Sequence, residues 1–193
     1  MVFGKARIDL GLEHLHSLPR YPARLIAFLG SSIGNLGPRG RSVFLSTLCA
    51  VLRPGEWLLL GIDLVKDPAR LEAAYNDASG VTAQFIKNLL CVLNRELGAD
   101  FDLDAFAHSA RWNPVDEWME LGLRSLANQH VHVDDLDLDV DFAAAEELRS
   151  EISSKFRRDR FERELEDAGL ALRGWWTDPD GDFAVCLGER ARA

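Results

Sequence analysis

No apolar run approaches the ~20 residues needed to span a bilayer; the longest, around Leu25–Leu29 and Trp57–Leu60, fall far short. The opening Met1-Val2-Phe3-Gly4-Lys5 is not an apolar leader segment. Cysteine is sparse: Cys49, Cys91 and Cys186 form no C-x-x-C pair and no even framework. That argues against a zinc ribbon or a disulfide scaffold, and a reducing cytoplasm is the expected setting. Basic side chains are outnumbered, 22 against 31 acidic, for a net charge of -9. A duplex binder needs a basic face, so no nucleic-acid partner is expected, and no membrane partner either. Finally, the 15 glycines include not one Gly-x-Gly, so the usual glycine-rich nucleotide loop is missing.

What remains is an ordinary globular composition: 193 residues, 47% apolar and 27% charged, enough to bury a real core within one domain. Ala23–Leu29 is a nearly continuous apolar run ending in Gly30, which reads as a strand covered on both faces. After the loop Gly30–Leu36, apolar residues from Arg41 to Leu52 recur at helical spacing until Pro54-Gly55. Glu56–Asp63 is a second buried strand, and the strand–loop–helix–strand order predicts a parallel βαβ unit. Helices are predicted over 69–76 and 81–97, with a further short one over 103–110. Alternation predicts strands over 118–124, 130–133 and 136–142. Helical spacing resumes over 143–150; a helix over 161–168 ends at Gly169, and a hairpin turns at Asp178-Pro179-Asp180-Gly181.

The loop Gly30-Ser31-Ser32-Ile33-Gly34-Asn35 follows a buried strand, at the sheet edge where open α/β folds bind ligands. It reads equally as a tight turn leading into the Arg41 helix. His130-x-His132, followed by Asp134 and Asp135, lacks third and fourth ligands at definite spacing, so a solvated strand face explains it better than a metal. No metal is expected. In Glu151-Ile152-Ser153 the carboxylate and hydroxyl share one face of an extended segment and can hold a ring N–H between them; on a helix they diverge. Cys49 and Cys91 fall on apolar helix faces and Cys186 in a strand, all inert positions.

Five segments, taken in order, carry a resemblance: Phe28–Leu36, Leu60–Pro68, Tyr75-Asn76-Asp77, Asn94–Phe101 and Glu151–Phe156. Together they resemble the S-adenosylmethionine-dependent histidine Nα-methyltransferases of ergothioneine biosynthesis, over about Leu15–Leu187. The resemblance implies an α/β fold: an incomplete Rossmann-like class I methyltransferase sheet, parallel at its start and antiparallel at its finish. Residues 15–66 would be the remnant of that core, 67–160 mainly a helical and β substrate-binding insertion, and 161–193 a helix and hairpin rejoining the core. It also implies three successive methyl transfers from S-adenosylmethionine to the α-amine of L-histidine, giving hercynine. By the same resemblance Gly30 and Asn35 meet the amino acid's backbone groups, Tyr75 its carboxylate, and Glu151 with Ser153 its imidazole. Ser32 and Asp9 fall to the methyl donor.

The chain also departs from that family. It looks like the C-terminal two-thirds of such an enzyme, without the first strands and the glycine-rich cofactor loop. Ile86 in Phe85-Ile86-Lys87-Asn88 stands where the family has an asparagine. Activity from this chain alone is therefore not expected. Two other functions compete: a non-catalytic remnant that binds an amino acid or a partner, and a methyltransferase for another small amine. The early strand should present an unpaired edge that favours self-association or a complementing N-terminal chain, with poor stability as a monomer.

Overall fold

A computed structural model describes residues 24–190. In chain order the elements are β1 (Leu25–Phe28), α1 (Pro38–Val51), β2 (Trp57–Asp63), α2 (Pro68–Tyr75), α3 (Val81–Leu97), β3 (Phe106–Asn113) and β4 (Trp118–Ser125). They continue with β5 (Gln129–Val133), β6 (Leu138–Phe142), β7 (Glu147–Ser154), α4 (Arg158–Asp167), β8 (Leu170–Thr177) and β9 (Phe183–Arg190). The chain divides into two compact units: residues up to Val65 together with those from Lys155, and Lys66–Ser154.

The first unit holds a sheet of order β1-β2-β9-β8. β1 pairs with β2 in parallel, Leu25 against Trp57, whereas β2 with β9 and β9 with β8 are antiparallel. The parallel start and antiparallel finish expected from the sequence are both present. Because side chains alternate across a strand, Leu58, Leu60 and Ile62 line one face in register with Gly188, Cys186 and Ala184. α1 (Phe44, Leu45, Leu48) and α4 (Phe161, Leu165) bury that face. Arg41 locks the two helices: its guanidinium donates to both Glu164 carboxylate oxygens, at 2.9 and 3.0 Å, and to the Leu36 carbonyl at 2.8 Å. β1 differs from expectation. Instead of cover on both faces, Leu25 and Ala27 are exposed, and β1 has one strand neighbour among the described residues.

The second unit sets α2 and α3 with an antiparallel sheet of order β3-β4-β7, and adds the β5–β6 hairpin. Its core gathers Phe101, Phe106 and Phe142, with Leu71, Ile86, Leu90, Met119, Leu121 and Leu123. Two sequence expectations fail here. The short helix predicted over 103–110 is one 3-10 turn at Leu103–Ala105 followed by β3. The overriding force is the ladder to β4, reached through a turn in which the Asn113 side chain accepts from the backbone N–H of Val115 and Asp116. The helical spacing over 143–150 is a turn, with Ala145 at φ 68, leading into β7. Three consecutive alanines favour a helix, yet the Ala145 N–H and Glu146 carbonyl are spent on Ser125.

β7 carries a bulge, so Glu151 opposes Leu121 while Arg149 opposes Gly122. A Cβ on Gly122 would lie 2.3 Å from the Leu148 carbonyl oxygen. Gly122→Ala should therefore force the β4–β7 ladder apart and cost about 1–3 kcal/mol. Chemical denaturation checks this; an unchanged midpoint would contradict the close approach at the bulge.

Candidate substrate-recognition site

In the first unit, β1 runs into Gly30 at φ 87 and Ser31 at φ 58, two consecutive left-handed residues. Glycine takes that conformation without cost; serine holds it here through two contacts. The Ser31 N–H donates to the Gly61 carbonyl at 3.1 Å, and the Ser31 hydroxyl accepts from the Asp63 N–H at 2.9 Å. A single 3-10 turn, Ser32–Asn35, follows before Pro38 starts α1. Ser32 and Asn35 both lie exposed on it, and neither side chain makes a hydrogen bond to a described residue. At the end of β2, Asp63 holds the buried Lys155 ammonium at 2.8 Å. The Phe156 N–H donates to the Asp63 carbonyl at 2.9 Å, tying the returning chain to the same strand end.

In the second unit, β7 is extended from Glu147 to Ser154, which settles the alternative left open for Glu151 and Ser153. Both lie beyond the bulge and face the same side as Leu121 and Met119, their partners across the ladder. Burial on that apolar face pushes the Glu151 carboxyl above the usual glutamate range. Ser153 is buried, and its hydroxyl lies 2.9 Å from the Tyr75 phenol at the end of α2. The structure thus brings Ser153 to Tyr75 and places Glu151 two residues away on the same strand face. A serine hydroxyl can both donate and accept, while Glu151, when ionised, only accepts. That pairing suits a ring with one N–H and one bare nitrogen.

Other residues of the quoted segments serve structure. The Asp77 carboxylate accepts from Val81 N–H, Thr82 N–H and the Ser79 hydroxyl, which holds its proton affinity well below the usual aspartate range and caps α3. Asn94 bonds both the N–H and the carbonyl of Phe101. Ile86 is buried in the core, so its position carries packing. His130 and His132 are paired with Asp141 and Asp139 on the outer face of the β5–β6 hairpin. Those carboxylates raise the proton affinity of both imidazoles. Among the described residues no group could hold a metal ion. Cys91 is exposed, contrary to the inert position expected, because its side of α3 is not the packed one. Burial drives the Cys186 thiol up to about 12. Asp9 lies outside the described residues. Sequence reasoning gave no role to Lys155 or to His108, whose partners lie too far along the chain to be read from local pattern.

A parallel βαβ start with a strand-end loop, and a second unit presenting a carboxylate, a hydroxyl and a phenol, make this a mixed α/β protein. The chain belongs to the histidine-specific, S-adenosylmethionine-dependent methyltransferase family, whose model matches residues 6–190. A histidine N-alpha-methyltransferase of Mycolicibacterium smegmatis is 57% identical over 178 residues, 92% of this chain and 56% of that protein. The Mycobacterium tuberculosis enzyme of the same name is 56% identical, over 91% and 54%. Ergothioneine biosynthesis protein 1 of Neurospora crassa is 31% identical over 80% of this chain and 17% of its own length. The chain spans about half the length of the two bacterial relatives. Among the described residues no helix is long and apolar enough to cross a membrane.

Proposed function

We propose that this chain carries the histidine-recognising part of an S-adenosylmethionine-dependent Nα-methyltransferase that makes hercynine for ergothioneine biosynthesis. The observation that supports this most is the Glu151, Ser153 and Tyr75 set: a carboxylate and a hydroxyl on one strand face, the hydroxyl ordered by a phenol at 2.9 Å. Glu151 accepts the imidazole N–H, and Ser153 donates to the other ring nitrogen. An amino acid without those nitrogens would leave the half-buried Glu151 carboxyl without a ring N–H, and so be rejected. In the first unit, Gly30 and Asn35 keep the role that the resemblance gives them toward an amino acid's backbone groups, Asn35 with an amide that makes no side-chain hydrogen bond to another described residue.

The methyl donor fits the described residues only in part. The Ser31 N–H is committed within the fold and Asp63 is committed to Lys155, which leaves the Ser31 hydroxyl proton and the exposed Ser32 hydroxyl. S-Adenosylmethionine supplies an electrophilic methyl group; two hydroxyls are too little to hold its adenosine and amino-acid ends. This favours a second reading, an amino-acid-binding half whose catalysis needs residues beyond those described. β1 offers a route to completion, because Leu25 and Leu29 are more than half exposed and β1 has one strand neighbour among the described residues. An added strand, from a second copy or from a chain equivalent to the rest of the longer relatives, would cover it. Leu25→Lys should lower the self-associated fraction in sedimentation velocity; unchanged association would contradict a β1 contact.

The deciding experiment for the reaction is incubation of the chain with L-histidine and S-adenosylmethionine, followed by mass spectrometry of the amino acid. Methylated histidine that disappears with Glu151→Ala supports the enzyme reading. Histidine binding without transfer supports the half-site, and loss of both contradicts the proposal.

A further inference from the structure

Three polar contacts fasten the end of α2 to β3, at alternate positions along that strand. The Trp112 N–H donates to a Glu72 carboxylate oxygen at 3.2 Å. The Asn76 amide donates to the Ala110 carbonyl at 3.1 Å. His108 Nε2 meets the Tyr75 carbonyl at 2.9 Å. β3 contributes backbone to the first two, which any residue could supply; only the third uses a side chain. A carbonyl oxygen can only accept, so Nε2 carries a hydrogen.

The ladder shows why this fastening matters. Trp112 opposes Met119, which opposes Ser153; Ala110 opposes Leu121, which opposes Glu151. The strand that grips the backbone of Tyr75 therefore belongs to the same three-stranded sheet that presents Glu151 and Ser153. Meanwhile His108 Nδ1 is buried without a hydrogen-bond partner among the described residues. A buried polar atom with no partner costs stability, so a leucine would serve packing better than this imidazole does. We propose that His108 is a positioning residue, which holds the Tyr75 backbone on β3 so that the phenol meets Ser153. The proposal rests on the histidine-recognition reading for its effect on substrate, but its geometric part stands without it.

The test uses the whole chain with tyrosine ring carbons labelled, since the sequence contains two tyrosines and Tyr75 gives one of two signals. His108→Leu should shift or broaden the Tyr75 ring signal, and His108→Gln, which returns an N–H near the Nε2 position, should restore it. L-Histidine affinity measured by calorimetry should fall about tenfold with His108→Leu, the size of one hydrogen bond, and recover with His108→Gln. In the Tyr75→Phe background, His108→Leu should add little, because the two act as one unit. A Tyr75 signal unmoved by His108→Leu overturns the positioning role, as do equal effects of Leu and Gln or fully additive losses. If the unsubstituted chain binds no L-histidine, the substrate reading fails, and the ring signal alone decides for or against His108.

Discussion

Glu151→Ala lowers L-histidine affinity by about 100-fold, the expected result of deleting a charge-assisted hydrogen bond and leaving a ring N–H unanswered. The pH dependence follows from the same environment. Burial raises the folded-state proton affinity of Glu151, so the carboxylate proposed to accept the ring N–H is lost at a higher pH than for an ordinary glutamate. The acid limb of the binding profile should accordingly sit above the usual range near ~4.3. Stability carries the opposite sign. A carboxyl whose affinity is raised on folding favours the fold below its unfolded pKa, and that contribution is lost as pH rises through the folded value. Glu151→Gln should thus weaken binding while leaving neutral-pH stability unchanged or improved. Calorimetric titration with parallel thermal melts separates the two effects; a Glu151→Gln chain that binds normally but melts early would reverse the assignment.

The second large effect is on stability, in the first unit. Glu56 is buried at the start of β2, where its carboxylate takes both Arg24 Nε at 2.8 Å and Nη2 at 2.6 Å, and the Arg53 N–H at 2.8 Å. The hydrogen bond from Arg24 holds its proton affinity below the usual glutamate range. Arg24 also donates to the Val51 carbonyl at 2.8 Å, so one side chain ties β1, the end of α1 and β2 together. Glu56→Ala removes one half of that pair and should cost about 3–5 kcal/mol, since the guanidinium is left without its counter-charge in a mostly buried place. Replacing both partners, Arg24→Met with Glu56→Leu, should recover much of the loss. Because the folded carboxyl is the more acidic one, the contribution is present above the unfolded pKa and fades as pH falls through the folded value. Urea unfolding at neutral and acid pH measures both points, and a single variant as stable as the parent would remove the pair from the account.

The βαβ start was legible because its signals are local: apolar runs bounded by Gly30 and by Pro54-Gly55, with helical spacing between them. β3 and the first half of β7 were misread because their identity comes from pairing at long range, Phe106 with Ser125 and Arg124 with Glu147, against alanine-rich stretches that favour a helix in isolation. Glu151 and Ser153 were readable only as a condition, since two residues apart share a face in a strand and not in a helix. The ladder to β4 supplies that condition. Tyr75 entered through resemblance alone, as its contact with Ser153 spans 78 residues. The Asp63–Lys155 pair and the His108–Tyr75 contact left no local trace, because neither spacing nor composition reports a partner across the fold.

The second unit is proposed to recognise the imidazole of L-histidine through Glu151 and Ser153. Calorimetric titration of the chain with L-histidine, beside L-tryptophan and L-alanine as competitors, tests it most directly. The expected result is saturable binding of L-histidine that Glu151→Ala reduces by about 100-fold, with no comparable heat from the other two. Silence toward L-histidine, or equal binding of all three amino acids, would contradict it.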